Sequence, residues 1–280
     1  MSVWFVIPSK RPLAEANVCF SAWMDMGYRV AVAREPEDGR PEGVKIIDVS
    51  TYQGWARSVN LLTSSIMALD LEAAWFVTGG DDYFPDPTKR AEDIAKECRE
   101  YFADRICGSP WTGRYFGVMQ PTGDRWGEGR CPTCYATGRI YPAIDWSSVC
   151  PDCNGAGVSA VIDRICGSPW MGREFCRMMY HGGGPLYNGY YHNFADEELQ
   201  HVARKLGVLW QRRDLTQTHR HWAQKQTKSA THTGLAGDVR NMPEWARKIN
   251  DPALSDWDQS KALFAKRKAA GFPGHESLEV

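Results

Sequence analysis

Four cysteines are spaced as two pairs. Cys131 and Cys134 form CPTC, Cys150 and Cys153 form CPDC, and fifteen residues separate the pairs. Each CxxC supplies two thiolates from one tight turn, and two such knuckles complete a tetrahedral all-sulfur site suited to Zn2+. Four cysteine ligands leave no open coordination position, so a zinc held there is structural and carries no catalysis. Glycines after the second cysteine of each pair let backbone amides turn toward the sulfurs. Four reduced free thiols are the plainer possibility, and the paired spacing disfavours it. Cys19, Cys98, Cys107, Cys166 and Cys176 are scattered, as small buried hydrophobes or free thiols are.

A second signal is Asp81-Asp82, which follows an apolar run and two glycines. Adjacent carboxylates at a strand end repel unless a cation neutralises them, and oxygen ligands suit Mg2+ or Mn2+. The competing possibility is a solvated turn in which one Asp caps a following helix.

These groups need elements to hold them. Val3-Trp4-Phe5-Val6-Ile7-Pro8 reads as a buried first strand that stops at the loop SKRP. A helix over Leu13 to Met26 follows, then strands at Tyr28 to Val32 and Val44 to Val49. Gly54 to Leu69 reads as a helix and Ala74 to Thr78 as a strand ending in GGDD. Asp86 to Phe102 is helical again, with Pro87 in the first turn. Strands alternating with helices predict a parallel α/β sheet, whose ligands gather at the carboxyl ends of the strands. SKRP and GGDD both fall there. Further helices are expected over Asp196 to Leu206, Pro243 to Ile249 and Asp256 to Ala270.

The middle of the chain carries a duplication. DRICGSPWTGRYF (Asp104 to Phe116) recurs as DRICGSPWMGREF (Asp163 to Phe175), with two differences in thirteen positions. The paired cysteines lie between the copies, which suggests a small module let into an α/β domain. The expected division is 1–116, an inserted four-cysteine module over 117–159, and 160–280.

The chain has 280 residues, 43% hydrophobic, and twelve Trp, which excludes low-complexity disorder and allows one large domain or two small ones. No apolar run approaches the roughly 20 residues of a membrane span. The opening VWFVIP is too short for a signal peptide and is soon followed by Lys10 and Arg11, so a cytoplasmic protein is expected. An odd total of nine cysteines also argues against a disulfide framework. Net charge is −1, yet Leu199 to Val280 holds 14 Lys/Arg against 8 Asp/Glu, so this third is about +6.

The cysteine segment resembles one cluster of the DnaJ-type zinc domain, although its first half lacks one of that pattern's glycines. Most of residues 3 to 270 outside it resembles the GT-A-fold, family-2-like glycosyltransferases encoded by bacteriophages. The matching pieces are IPSKRP, GWARSVN (Gly54 to Asn60), WFVTGGDDYFPDP (Trp75 to Pro87), GSPWMGREF, GGGPLYNGYYHNFADEEL and LTQTHRHW. The resemblance implies a Rossmann-like mixed sheet with flanking helices. It also implies a nucleotide-sugar site built by Pro8, Ser9, Lys10, Arg11, Glu35, Gly54, Arg57, Asn60 and Asp81. Lys10 and Arg11 suit phosphate charge, Arg11 bidentately. Arg57 and Asn60 lie three apart on one helical face. Asp82, with His219 or His221, is the implied holder of a catalytic Mn2+ or Mg2+, although GGDD departs from a strict Asp-x-Asp and leaves open which carboxylate touches it.

The same resemblance makes Asp196 or Glu197 the base that deprotonates the acceptor hydroxyl in an inverting transfer. The competing role is an N-cap and helix-dipole one. Trp170, Arg173 and Glu174 of the second repeat copy are implied on the acceptor side, with Trp170 as a stacking platform. The family association further implies a UDP-sugar donor and DNA carrying a hydroxymethylated pyrimidine such as 5-hydroxymethylcytosine, flipped out of its duplex. Arg212, Arg213, Arg220, Lys225 and Lys228 are the expected phosphate contacts. Alternatives are a glycosyltransferase with a non-DNA acceptor, a nucleotidyltransferase, or a non-catalytic zinc protein that binds nucleic acid.

Overall fold

The computed structural model describes residues 1–105, 115–139, 149–220 and 257–275. Its strands, in chain order, are β1 (Ser2–Pro8), β2 (Arg29–Arg34), β3 (Lys45–Asp48), β4 (Ala73–Val77), β5 (Tyr83–Phe84), β6 (Val118–Pro121), β7 (Gly129–Arg130), β8 (Val158–Ser159), β9 (Trp170–Gly172), β10 (Leu209–Arg212) and β11 (Thr218–His219). Its α-helices are α1 (Leu13–Asp25), α2 (Trp55–Leu69), α3 (Ala91–Arg105), α4 (Arg173–Gly182), α5 (Ala195–Lys205) and α6 (Trp257–Ala269).

The apolar run of β1 is central because it is buried on both faces. Phe5, Val6 and Ile7 are fully enclosed, and β1 pairs in parallel with both β2 and β4. The seven-stranded sheet runs β10-β6-β9-β4-β1-β2-β3. The expected α/β class is therefore present, but the sheet is mixed. β9 pairs antiparallel with β4 and with β6, because the chain returns through it from the cysteine module. Trp23 stacks on Phe5 at 4.0 Å, and its indole donates to the carbonyl of Tyr83, which ties α1 to the segment after the Asp pair.

Two boundaries differ from the sequence expectation. Val118–Pro121 is a strand of the main sheet, so the inserted module does not begin at 117; its own two-stranded ladder is β7 with β8. Pro87 does not start a helix. Asp86 instead caps a turn by accepting from the backbone and hydroxyl of Thr88, and its other oxygen accepts from the Thr216 amide at 2.7 Å. Residues 106–114, most of the first repeat copy, and the expected helix at Pro243 to Ile249 lie outside the described residues.

Helix α5 is anchored by a buried charge. Glu198 is fully enclosed and accepts from Tyr180 and Tyr190 hydroxyls and from Nε and Nη2 of Arg267, all within 2.8 Å. Four donors compensate the desolvated carboxylate and dock α6 against α5. Among the described residues, no helix is long and apolar enough to cross a membrane.

Candidate active site

A cavity of about 910 Å³ opens where β1, β2, β3 and β4 end. Residues at or just past the end of each strand line it: Pro8 at the end of β1 and Ser9 to Arg11 after it, Glu35 after β2, Thr51 and Tyr52 after β3, and Gly79 to Asp82 after β4. Asp124, Trp126, Val161, Ile162, Asp196 and His219 are among the residues of the remaining wall.

The acidic pair is held by cations and hydroxyls. Asp81 accepts from Ser9 Oγ at 2.8 Å and from Arg11 Nε at 3.0 Å. Burial raises the Asp81 carboxyl above its ordinary range; the Arg11 charge pulls it back and the Asp82 charge adds to the rise. Arg11 Nη2 also stands 3.6 Å from Asp82, so one guanidinium faces both carboxylates.

Arg34, at the end of β2 and itself buried, fixes this loop. Its Nη1 donates to Ser9 Oγ, its Nη2 to the Arg11 carbonyl and its Nε to the Gly39 carbonyl. The sequence reading missed Arg34. The available signal was a cation closing the otherwise apolar VAVAR.

His219 reaches Asp82 within the same cavity wall, with Nε2 3.4 Å from Oδ1. Its ring stacks on Tyr83 at 4.0 Å and 12°. The β5–β11 ladder sets this pairing, and the Arg220 amide donates to the Asp82 carbonyl at 2.7 Å. A carboxylate oxygen and an imidazole nitrogen at this separation can share one ion. Two protein donors fit Mg2+ or Mn2+, which keep their other positions for water and phosphate. His221 lies outside the described residues.

Asp196 lines the same cavity from α5. It does not N-cap that helix. Phe194 occupies the cap in a left-handed conformation with φ 74°, and Asp196 sits one residue inside the helix. Desolvation raises the Asp196 carboxyl, with the Glu197 amide at 3.0 Å drawing it down. Once ionised, a carboxyl whose proton affinity is raised in this way is the stronger base for taking a proton. Glu197 is half-buried and outside the lining. Its carboxyl is raised by burial first and by Asp196 second.

On the opposite wall Glu35 accepts from Lys10 Nζ at 2.7 Å and from the Tyr52 amide at 2.9 Å. The Lys10 bond is the main reason its carboxyl lies below the ordinary range.

Several expected site residues are elsewhere. Gly54 is not in the wall. With φ at 96° it caps α2, and a Cβ there would stand 2.3 Å from the Tyr191 carbonyl, so its role is backbone fit. Arg57 and Asn60 face away from the cavity. Arg57 donates to the Asn188 carbonyl, and Asn60 is fully engaged with Leu186 and Asn188. The face of α2 that reaches the cavity carries Trp55 and Ser58 instead.

Trp170 is fully buried in β9, where it meets Tyr28 edge-on, so it offers no stacking face. Arg173 donates to the carbonyls of Met67, Asp70 and Ala73 at the amino end of β4, the wrong end of the sheet for the cavity. Glu174 pairs with Arg177. Among the expected phosphate contacts, Arg212 is buried against Glu97 and Asp214, and Lys225 and Lys228 lie outside the described residues.

The four cysteines come together as their spacing predicted. Their sulfurs all lie within 4.8 Å of one another, and among the described residues they are the only group of three or more potential His, Cys, Asp or Glu ligands so placed. The amides of Gly138 and Gly157 donate to Cys134 and Cys153 sulfurs at 3.3 Å. Buried thiolates with amide support are the donor set of a structural zinc. Asp152 ties the module to α5 through Arg204 at 3.0 Å.

No protein-family profile matches the chain, and no curated protein sequence matches it. Among solved structures, a mutant of the Drosophila β1,4-galactosyltransferase 7, in complex with manganese, UDP-Gal and xylobiose, overlaps at TM-score 0.38 and 9% identity, over 82% of this chain and 76% of that one. A glycosyltransferase involved in glycosylation of the major capsid of PBCV-1 overlaps at TM-score 0.28 and 8% identity, over 62% of this chain and 61% of that one. Both overlaps are loose.

Proposed function

We propose that the chain is a metal-dependent glycosyltransferase that moves a sugar from a UDP-sugar to a hydroxyl, the hydroxymethyl group of a modified pyrimidine in DNA being the acceptor. One observation carries the reading. A carboxylate–imidazole pair, Asp82 with His219, and a separate, partly buried carboxylate, Asp196, line one cavity at the strand ends.

In this reading Ser9, Lys10 and Arg11 receive the donor, with Arg11 turning from the carboxylates to the diphosphate, and Glu35 and Tyr52 bound the nucleoside end. Asp82 and His219 would hold the divalent ion, which would supply positive charge against that gathering on the departing diphosphate. Asp196 accepts the proton of the acceptor hydroxyl. The oxygen so freed bonds to the anomeric carbon as the bond to the diphosphate breaks on the opposite face, releasing UDP. Its raised carboxyl suits it to hold that proton.

The test is mass analysis of nucleosides from hydroxymethylcytosine-containing DNA incubated with the protein, Mn2+ and a panel of UDP-sugars. A hexose- or pentose-sized gain on the modified base is expected. UDP release without a mass gain keeps the transferase and discards the DNA acceptor. The absence of both a mass gain and UDP release overturns the reading.

A further inference from the structure

We propose that Asp124 is a positioning residue through which the four-cysteine module sets the orientation of His219; its catalytic consequence rests on the transferase reading above, the coupling itself does not. Asp124 lies on the outgoing leg of the module, between β6 and β7. Its Oδ2 accepts from the His219 amide at 3.0 Å and its Oδ1 from the Trp126 amide at 3.1 Å. One carboxylate thus joins the strand that carries the imidazole to the module's stem, and it uses both oxygens to do so.

The stem is pinned to the returning leg at the same level. The Val161 amide donates to the Trp126 carbonyl, Arg125 Nη1 reaches Asp163 at 2.8 Å, and Asp163 in turn accepts from the Ala160 amide. Beyond these pins the legs share a ladder of two residue pairs, Gly129 with Ser159 and Arg130 with Val158. A ladder that short does not hold itself. What closes its far end is the sulfur site, entered directly from the bond between the Cys131 amide and the Gly157 carbonyl.

Trp126 makes the connection felt at the imidazole. Its ring meets the His219 ring edge-on at 6.3 Å and 87°, while Tyr83, fixed by the main body, stacks against the same imidazole. His219 is therefore held between one ring that belongs to the body and one that belongs to the module. A metal in the cysteine site keeps the legs together, the legs keep Asp124 and Trp126 in place, and these keep Nε2 aimed at Asp82. The four cysteines act on the chemistry without touching it.

The test uses the full-length, zinc-loaded protein with 15N-labelled histidine, the His219 imidazole signals being assigned by their loss in His219→Gln. Asp124→Asn preserves shape but replaces one accepting oxygen with an NH2 group, so one of the two amides loses its acceptor. Both this variant and the protein stripped by a zinc chelator are expected to shift the His219 signals, while Asp124→Asn keeps full zinc content. Mn2+ binding in the presence of UDP, read by electron paramagnetic resonance, is expected to weaken about tenfold in Asp124→Asn, the scale of a lost outer-shell contact.

Unchanged His219 signals in both Asp124→Asn and the stripped protein overturn the proposal. If stripping unfolds the chain, Arg125→Ala, which cuts the pin between the legs, replaces it, and unshifted His219 signals there overturn the proposal equally. If Mn2+ and UDP do not bind even the unaltered protein, the transferase reading falls and the imidazole signals still decide the coupling.

Discussion

His219 Nε2 stands 3.4 Å from Asp82 Oδ1, both in the wall of one cavity, with His219 on a strand 137 positions later in the chain. The other Asp82 oxygen faces Arg11 at 3.6 Å. The carboxylate thus has an imidazole on one side and a guanidinium on the other. A divalent ion between Asp82 and His219 would add to the charge that Arg11 sets against this carboxylate.

Removing that carboxylate is expected to remove metal-dependent turnover. Asp82→Ala should lower UDP-sugar turnover by roughly 100-fold or more, since even outer-shell changes at metal sites reach that scale. Circular dichroism and Tm should stay near the parent values. Full activity in the variant rules out Asp82 as a metal ligand.

Asp196 should set the acid limb of the pH profile. Because burial raises its carboxyl, kcat/KM is expected to climb with pH through a value above the usual carboxylate range. Asp196→Asn should cost about 10²- to 10⁴-fold in kcat. Stability carries the opposite sign. A folded carboxyl raised above its unfolded value favours the folded state at low pH, and that contribution is lost as pH rises from the ordinary value through the raised one. Tm of the parent should fall across that window relative to Asp196→Asn, which stays neutral. Parallel Tm curves would show that Asp196 is not desolvated in the folded chain.

Arg11 compensates two carboxylates, so Arg11→Ala leaves both without it. Breaking one partner of such a cluster costs roughly 3 kcal/mol. Added Mn2+ should then raise the Tm of Arg11→Ala by more than that of the parent protein. An equal response in both proteins would mean that the ion binds away from the Asp pair.

Cys150→Ser removes one of four sulfurs from a closed site. Zinc content measured by elemental analysis should drop below one per chain, and Tm should fall by about 5 °C or more, the shift expected for a loss of about 2 kcal/mol in a chain this size. Unaltered zinc content and melting would exclude the site.

Trp170→Ala tests a corrected assignment. The indole is enclosed in the sheet, so its removal should destabilise the protein by about 3–5 kcal/mol. At a temperature where the variant is still folded, KM for acceptor should be unchanged. A selective rise in KM would return Trp170 to the acceptor side.

What the sequence determined by itself is what depends on local spacing. Period and composition gave β1 to β4 and helices α1, α2 and α5 to within a few residues. The CxxC pairs gave the sulfur cluster, because two thiols on one turn already face one point. SKRP and GGDD fell at one end of the sheet because strands in a parallel arrangement all end on the same side.

What only the tertiary structure decided is which face each element turns inward. Arg57 and Asn60 share a face of α2 just as Trp55 and Ser58 do, and only packing against the 183–188 loop shows which face meets the cavity. Trp170 and Arg173 sit in a motif that reads as a loop, yet pairing with β4 and β6 draws Trp170 into the core and carries Arg173 to the opposite end of the sheet. Asp124 and Trp126 lie in FGVMQPTGDRW, a segment that resembles the family's acceptor side, yet nothing local in it places them beside His219. Their place beside His219 exists because the module's legs close on a strand 95 positions away, and contacts made by chain closure leave no trace in neighbouring residues.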